Sequence, residues 1–392
     1  MAIRVRGSGI LPKVTGVPTV VVSAVRFRSL LENRHLSDED VAAQVETSVD
    51  VRDLAREDQL VEFADLVALG KHFNRPWAYL LSDEIERFPD LGQDNRTVAN
   101  QRVPASPALI EEYEAAEALL DAAADLFSDQ TYEVPATRIT GGTPVGEAGR
   151  LMRSFLGVAY SAQLGARDDF AALRLWIAAL HSRGVYVAQR RLRDDTVRAF
   201  SRAEGGQAVI VVDTGDTAYA RIFSALHEYC HVVLRSTGIC DLDEHRDVEL
   251  YCNAVAAAVL LPSDLLDEEL AGVGFGVSSE ADDENLKRLS HRLGVSQAVL
   301  LIRLRDLHTI SQATYEALED RRKSRRGSDK KPGGTYYPPA INKVGRRFAR
   351  NVFGAVDEGA IDRQDAGALL GVGEHTVDRF RAELFNGEVG ER

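Results

Sequence analysis

The chain has 392 residues, 45% of them apolar and 27% charged, with a net charge of −13. That length exceeds one ordinary domain core, and the composition excludes collagen-like, wholly disordered and coiled-coil-only chains. Bulk electrostatics repel nucleic acid, so any contact with DNA falls to a local basic patch.

Residues 1–20 carry Gly and Pro with little periodicity and are expected to form a tail. From about Val21 apolar residues recur at helical spacing over Val25 to Leu31, Val41 to Val45, Val51 to Leu54, Leu60 to Leu69 and Trp77 to Leu81, which predicts a compact all-helical unit over 21–90. Ser37 to Asp40 reads as a capping box, and Thr47-Ser48 can cap the next helix. Short helix, tight turn and short helix is helix-turn-helix spacing. Residues 91–143 read as a linker followed by one amphipathic helix from Ile110 to Phe127, with a Thr/Gly/Pro break after it.

A new domain is expected over 144–275. Helices are predicted at Gly146 to Leu156 and Asp168 to Ser182, then three strands at Gly184 to Leu192, Val197 to Arg202 and Gln207 to Asp213, forming a small antiparallel sheet. Helix returns over Tyr219 to Arg235 and again over Val248 to Leu261, which Pro262 ends. A helical extension (276–320), a basic linker (321–340) and a C-terminal helical domain (341–392) complete the chain. The expected class is mainly α with a small antiparallel sheet, an α+β fold. Residues 321–331 hold seven Lys/Arg against one Asp, whereas residues 1–102 hold 13 Lys/Arg and 16 Asp/Glu. The run reads first as a solvated linker and second as a nucleic-acid contact.

The longest nearly uncharged run, Leu250 to Pro262, is shorter than the ~20 apolar residues of a spanning helix, so no membrane partner is expected. The N-terminus lacks the pattern of a secretory signal, and Cys230, Cys240 and Cys252 are an odd number that fits a reducing compartment; a cytoplasmic protein with packing cysteines is expected.

The chemistry concentrates at His227-Glu228-Tyr229-Cys230-His231. On a helix, i and i+4 share a face, so His227 and His231 can present imidazole nitrogens to one metal ion, while Glu228 is rotated away and can take a proton from a water on that metal. A catalytic zinc needs a third protein ligand and an open position. Glu249 is the best candidate, because it opens a helix almost free of other polar groups; Asp241, Asp243 and His245 in the preceding loop compete with it. Asn253 or those loop residues can orient the ligands by hydrogen bonds to them. The strand Gln207 to Asp213 precedes the motif helix and is a candidate edge for an extended substrate segment.

These residues resemble the ImmA/IrrE metallopeptidases, in which a small sheet precedes an H-E-x-x-H helix and a helix reading E-x-x-A-N-x-F-A-x-x-L-L-M-P follows. Glu249, Asn253, Ala256, Leu260 and Pro262 match that spacing, with Cys252, Val255 and Leu261 as apolar departures. The resemblance extends upstream through LRLWIAALHSRGVYV and downstream through LGVSQAVLLIRLRDL. Ser37 to Glu57 resembles a degenerate XRE-type helix-turn-helix, with Glu46 where Gly is usual and Asp50 and Asp53 beside the candidate DNA-binding residues Arg52 and Arg56. The resemblance implies a zincin-like metallopeptidase domain with Zn2+, or alternatively Mn2+, held by His227, His231 and Glu249. It also implies a protein substrate, a transcriptional repressor, in a stress, phage-immunity or toxin-antitoxin context. The competing expectation is a DNA-binding regulator or antitoxin whose metal site is structural or sensory. Helix-turn-helix spacing recurs at Leu286 to Leu304 and Gln364 to Phe380, where a plain helical bundle fits equally.

Overall fold

The computed structural model describes residues 19–33, 36–73, 77–81, 95–97, 106–194, 197–236, 245–273, 282–326 and 339–386. It divides into two compact units, residues 1–90 with 104–107, and residues 91–103 with 108–392. Nearly all of the expected N-terminal tail lies outside the described residues.

The first unit contains β1 (Thr19–Val22), α1 (Ala24–Asn33), α2 (Asp38–Gln44), α3 (Val51–Leu54), β2 (Gln59–Glu62), α4 (Phe63–His72) and a 3-10 turn at Trp77–Leu81. It is therefore not all-helical, as the apolar spacing predicted. β1 and β2 pair antiparallel, Val20 opposite Val61. Leu60 is 65% exposed while Val61 is fully buried, an alternation of period two that ordinary helix spacing conceals when a helix follows at once. Val22, Phe27, Leu30, Val41, Leu54, Leu66 and Leu69 form the core of this unit. Ser37 caps α2 in a capping box with Asp40, as predicted. The cap of α3 is Asp50, which accepts from the Arg52 amide, and not Thr47 or Ser48; Ser48 instead bonds Asp65.

The second unit opens with β3 (Asn95–Thr97) and α5 (Pro107–Leu126), followed by α6 (Val145–Leu156), α7 (Tyr160–Leu164) and α8 (Asp169–Ser182). The strands β4 (Tyr186–Arg190), β5 (Val197–Glu204) and β6 (Gln207–Asp213) lead into α9 (Ala218–Ser236) and α10 (His245–Leu260). Then come α11 (Ser263–Val273), α12 (Asp282–Arg292), α13 (Gln297–Asp306), α14 (Gln312–Arg326), α15 (Pro339–Val344), α16 (Arg346–Asp357), α17 (Arg363–Leu370) and α18 (Val377–Asn386). The protein is mostly helical with small sheets, an α+β fold.

The sheet order is β3-β5-β6-β4. β5 and β6 form an antiparallel hairpin, but β4 runs parallel to β6, so the sheet is mixed and not purely antiparallel. With partners on both sides, β6 has no edge to offer, which removes it as the strand on which a substrate segment adds. Its seven residues are all buried, as a central strand requires. On one face Val187, Ala199, Ile210 and Val212 join the main core with α8 and α9. On the other, Phe200 stacks on Tyr113 of α5 at 4.1 Å and Tyr186 meets Phe348 of α16 edge to face at 5.7 Å. The C-terminal helices thus pack onto β4 within the same unit. Gly345 makes this approach possible: it has φ 82°, and a Cβ there would stand 2.4 Å from the Val187 carbonyl oxygen.

α10 is the buried centre of the unit. Gly149 of α6 lies against it so closely that a Cβ would fall 2.6 Å from the Ala258 Cβ. The carbonyls at its C-terminal end, which no helix can satisfy internally, are taken by buried cations: Arg153 donates to Val259 at 2.8 Å and Arg303 to Leu261 at 2.6 Å. Gln163 adds bonds to Leu260 and Leu293. Burial lowers the pKa of Arg153 to about 10, so it stays charged.

α12 and α13 pack their apolar faces, including Leu289, Val299 and Leu304, into this core. The basic run begins inside α14, where Arg322 pairs with Glu319; residues 327–338 lie outside the described residues. Among the described residues no single helix is long and apolar enough to cross a membrane.

Candidate metal centre

α9 is positioned by the turn that feeds it. Asp213, at the end of β6 and 1% exposed, accepts from the amides of Leu192 and Gly215 and pairs with Arg191 at 2.8 Å. Thr217 then accepts from the Ala220 amide, capping the helix start. From Ile222 to Leu234 every residue is buried, so this helix is enclosed on all sides and its polar groups need partners inside the protein.

Those partners are mutual. The Nε2 atoms of His227 and His231 lie 3.1 Å apart, and the Glu249 carboxylate oxygens stand 3.2 Å from His227 Nε2 and 3.1 Å from His231 Nε2. His227 is fully buried, His231 is 5% exposed and Glu249 1% exposed. The three form a cluster suited to holding one metal ion. Donors around a four-coordinate zinc lie roughly 3.4 Å apart, given bonds of ~2.0–2.2 Å, so the triangle needs only slight opening. Two imidazole nitrogens 3.1 Å apart can share at most one proton between them, and a cation satisfies both lone pairs and the carboxylate together. The donor set fits a metal.

Charge in the cluster follows the same logic. Burial disfavours the charged form of His231, but its bond to Glu249 and the charges of Glu228 and Glu249 outweigh that and push its pKa up to about 9. Burial likewise opposes ionisation of Glu249, and the two histidines reverse it, holding the carboxyl well below the usual carboxylate range. The pocket is thus built to favour a carboxylate facing positive charge.

Glu249 does not open its helix, as the sequence reading had it. α10 starts at His245, because His245, Arg246 and Asp247 extend it by a turn that shows no apolar periodicity. A carboxylate one turn inside the helix and buried is not there for the N-terminal dipole. Of the competing candidates, Asp241 and Asp243 lie outside the described residues, and His245 is the first residue of α10. Asn253 is half-buried one turn beyond Glu249 and forms no hydrogen bond to the cluster among the described residues.

Glu228 is fully buried beside the cluster, and Ser201 Oγ of β5 donates to its Oε2 at 2.8 Å. Ser201 is the residue that sequence reasoning missed. The one available signal was a small polar residue on the core-facing alternation of a buried strand. Cys230 and Cys252 are buried free thiols, with burial and the neighbouring Cys230 raising Cys252, so both are packing residues; Cys240 lies outside the described residues. In the first unit Arg52 pairs with Asp50 at 3.6 Å and Arg56 with Asp53 at 3.7 Å, and α3 is four residues long.

Residues 181–305 match the family model Peptidase_M78, the IrrE N-terminal-like domain. That segment runs from the end of α8 to the last turn of α13 and contains His227, Glu228, His231 and Glu249. The match supports the ImmA/IrrE resemblance and a metallopeptidase type of domain there. It does not reach the helix-turn-helix-like residues 37–57. No curated protein matches the chain.

Proposed function

We propose that the second unit is a zinc-dependent metalloendopeptidase. The observation that carries this is the closed triangle of His227, His231 and Glu249 donor atoms with Glu228 buried beside it on the same helix. Zinc, when bound there, supplies a Lewis acid that activates a water and polarises a peptide carbonyl. Glu228 accepts the proton of the attacking water and later delivers it to the leaving amine. Ser201 holds Glu228 in place by donating to Oε2, which fixes the carboxylate for proton transfer. A site that is purely structural has no use for a second, non-ligating carboxylate in this position. Supporting the substrate class is the family resemblance, which points to a transcriptional repressor or another regulatory protein cut at one site.

The test is Glu228→Gln. We expect the variant to retain the metal content of the parent, read by plasma mass spectrometry, and to lose cleavage of its protein substrate by ~10²–10⁴-fold. Proteins encoded beside this chain are the substrates to offer first, with the chain itself as a second. Full cleavage by the variant would refute the assignment.

A further inference from the structure

A cavity of about 410 Å³ lies in the second unit between α8, β4, the first turn of α9 and the corner formed by α15 and α16. One side of it is a single face of α8. Phe170, Leu173, Ile177, Ala178 and His181 follow one another at helical spacing, so four apolar side chains and one imidazole share a stripe that lines the cavity. Val187 of β4 continues the apolar wall. Arginines make up much of the rest: Arg174 from α8, Arg221 from α9, and Arg346, Arg347 and Arg350 from α16.

Two of these arginines are held by the fold and lie against rings. Arg221 donates to the Thr214 and Asp216 carbonyls at 2.7 and 2.9 Å and to Gln189 at 3.3 Å, and its guanidinium stands over the Phe170 ring at 5.9 Å. Arg347 donates to the His181 carbonyl at 3.0 Å and to Gln130 at 3.4 Å, and stands over the Tyr186 ring at 5.8 Å. A guanidinium whose N–H groups are engaged in its own plane still offers its faces to an aromatic ring.

The polar atom left unmet here is an acceptor. His181 is 8% exposed, and its Nε2 has no hydrogen-bond partner among the described residues. Its bond to the Val187 backbone favours the protonated ring, which makes Nδ1 the donor and the Val187 carbonyl the acceptor. Burial, reinforced by the charges of Arg347, Arg350 and Arg346, pushes the pKa of His181 down to about 3. The imidazole is therefore neutral at pH 7, with its one proton on Nδ1 and a bare lone pair on Nε2. A buried acceptor of this kind is unfavourable until a donor meets it. One water would supply the donor and leave the α8 stripe wet, whereas the volume is within the range of small-molecule sites and takes a ring.

We propose that this cavity binds a small neutral aromatic molecule carrying a hydrogen-bond donor, with its ring on the α8 stripe and its N–H or O–H on His181 Nε2. The apolar stripe favours a ring, the guanidinium faces favour an aromatic one, and the imidazole selects a ring that donates. None of the metal-cluster residues lines the cavity, so this assignment stands apart from the metallopeptidase reading.

The experiment is a ligand-observed NMR titration of the full chain at pH 7 with indole and phenol, beside benzofuran and toluene, which have nearly the same shapes and no donor. Indole or phenol is expected to bind about tenfold or more tightly than its donor-free counterpart. His181→Leu is expected to bring the donor compound down to the level of that counterpart. Ala178→Phe, at an exposed position on the stripe, leaves His181 in place and is expected to weaken the donor compound about tenfold with unchanged melting temperature. Equal binding with and without a donor overturns the proposal, as does a preference that survives His181→Leu. Failure of both indole and phenol to bind overturns it too, and so does an Ala178→Phe chain that binds them like the parent.

Discussion

The metal cluster and the arginine-lined cavity draw on one helix and have opposite character. Arg221 lies in the first turn of α9 and His227 six residues on, about 9 Å along the axis. At the cluster, imidazole and carboxylate lone pairs converge within 3.2 Å and call for a cation. At the cavity, guanidinium groups from α8, α9 and α16 converge. The chain's net charge predicts neither, which teaches that local charge is set by which side chains the fold brings together.

Removing the cluster's carboxylate breaks the comparison most severely. Glu249→Ala is expected to take metal content from about one per chain to near zero by plasma mass spectrometry. Chelation of the parent chain should remove about 4 kcal/mol of stability when metal stands at ~1,000 times its Kd, and should leave the variant's stability unaltered. A variant that keeps its metal would sink the ligand assignment.

Arginine itself serves two purposes here, and the next variant separates them. Arg153→Met deletes a buried cation that caps α10 and bonds Gln163 at 2.9 Å, exposing no new solvent contact for the Val259 carbonyl it leaves behind. Urea unfolding is expected to show a loss of about 3 kcal/mol. A loss under 1 kcal/mol would mean the cap is dispensable.

The burial of His181 can be read as stability against pH. His181 has its folded pKa depressed to about 3 from 6.5, so between those values the unfolded chain binds a proton that the native chain does not. Stability therefore falls as pH drops through 6.5. From pH 7 to pH 5 this group alone removes about 2 kcal/mol, and His181→Gln is expected to flatten the profile by that amount. Parallel profiles for the two proteins would contradict the depressed value. The smallest effect belongs to Arg350→Gln, an exposed cation on the cavity lining, for which unfolding should shift by less than about 0.5 kcal/mol. A larger loss would make that arginine structural.

The two sites also differ in how far the sequence exposes them. His227, Glu228 and His231 sit at helical spacing within five residues, so the local period alone assembles them. Glu249 was legible because it stands out in an apolar helix, although the polar first turn hid where that helix begins. The cavity was not legible, because its arginines come from positions 174, 221 and 346 to 350 and meet only through packing of α16 on β4. The consecutive basic residues lie instead at 321–331, part of which is the end of α14. The β1–β2 pair was hidden for the same reason, since its partners are forty residues apart and the second runs directly into a helix. Parallel pairing of β4 with β6 is likewise set by the crossover and not by strand composition.

The close crossing of α6 over α10 bears on how this sequence can vary. Any side chain at position 149 drives into Ala258, and α10 carries Glu249, so a change there shifts a carboxylate of the cluster, nine residues along α10 from Ala258, without touching it. Position 146, three residues earlier on the same helix, has open space around it. Inheritance can therefore place a side chain at position 146, while position 149 holds to glycine for as long as α10 keeps its place.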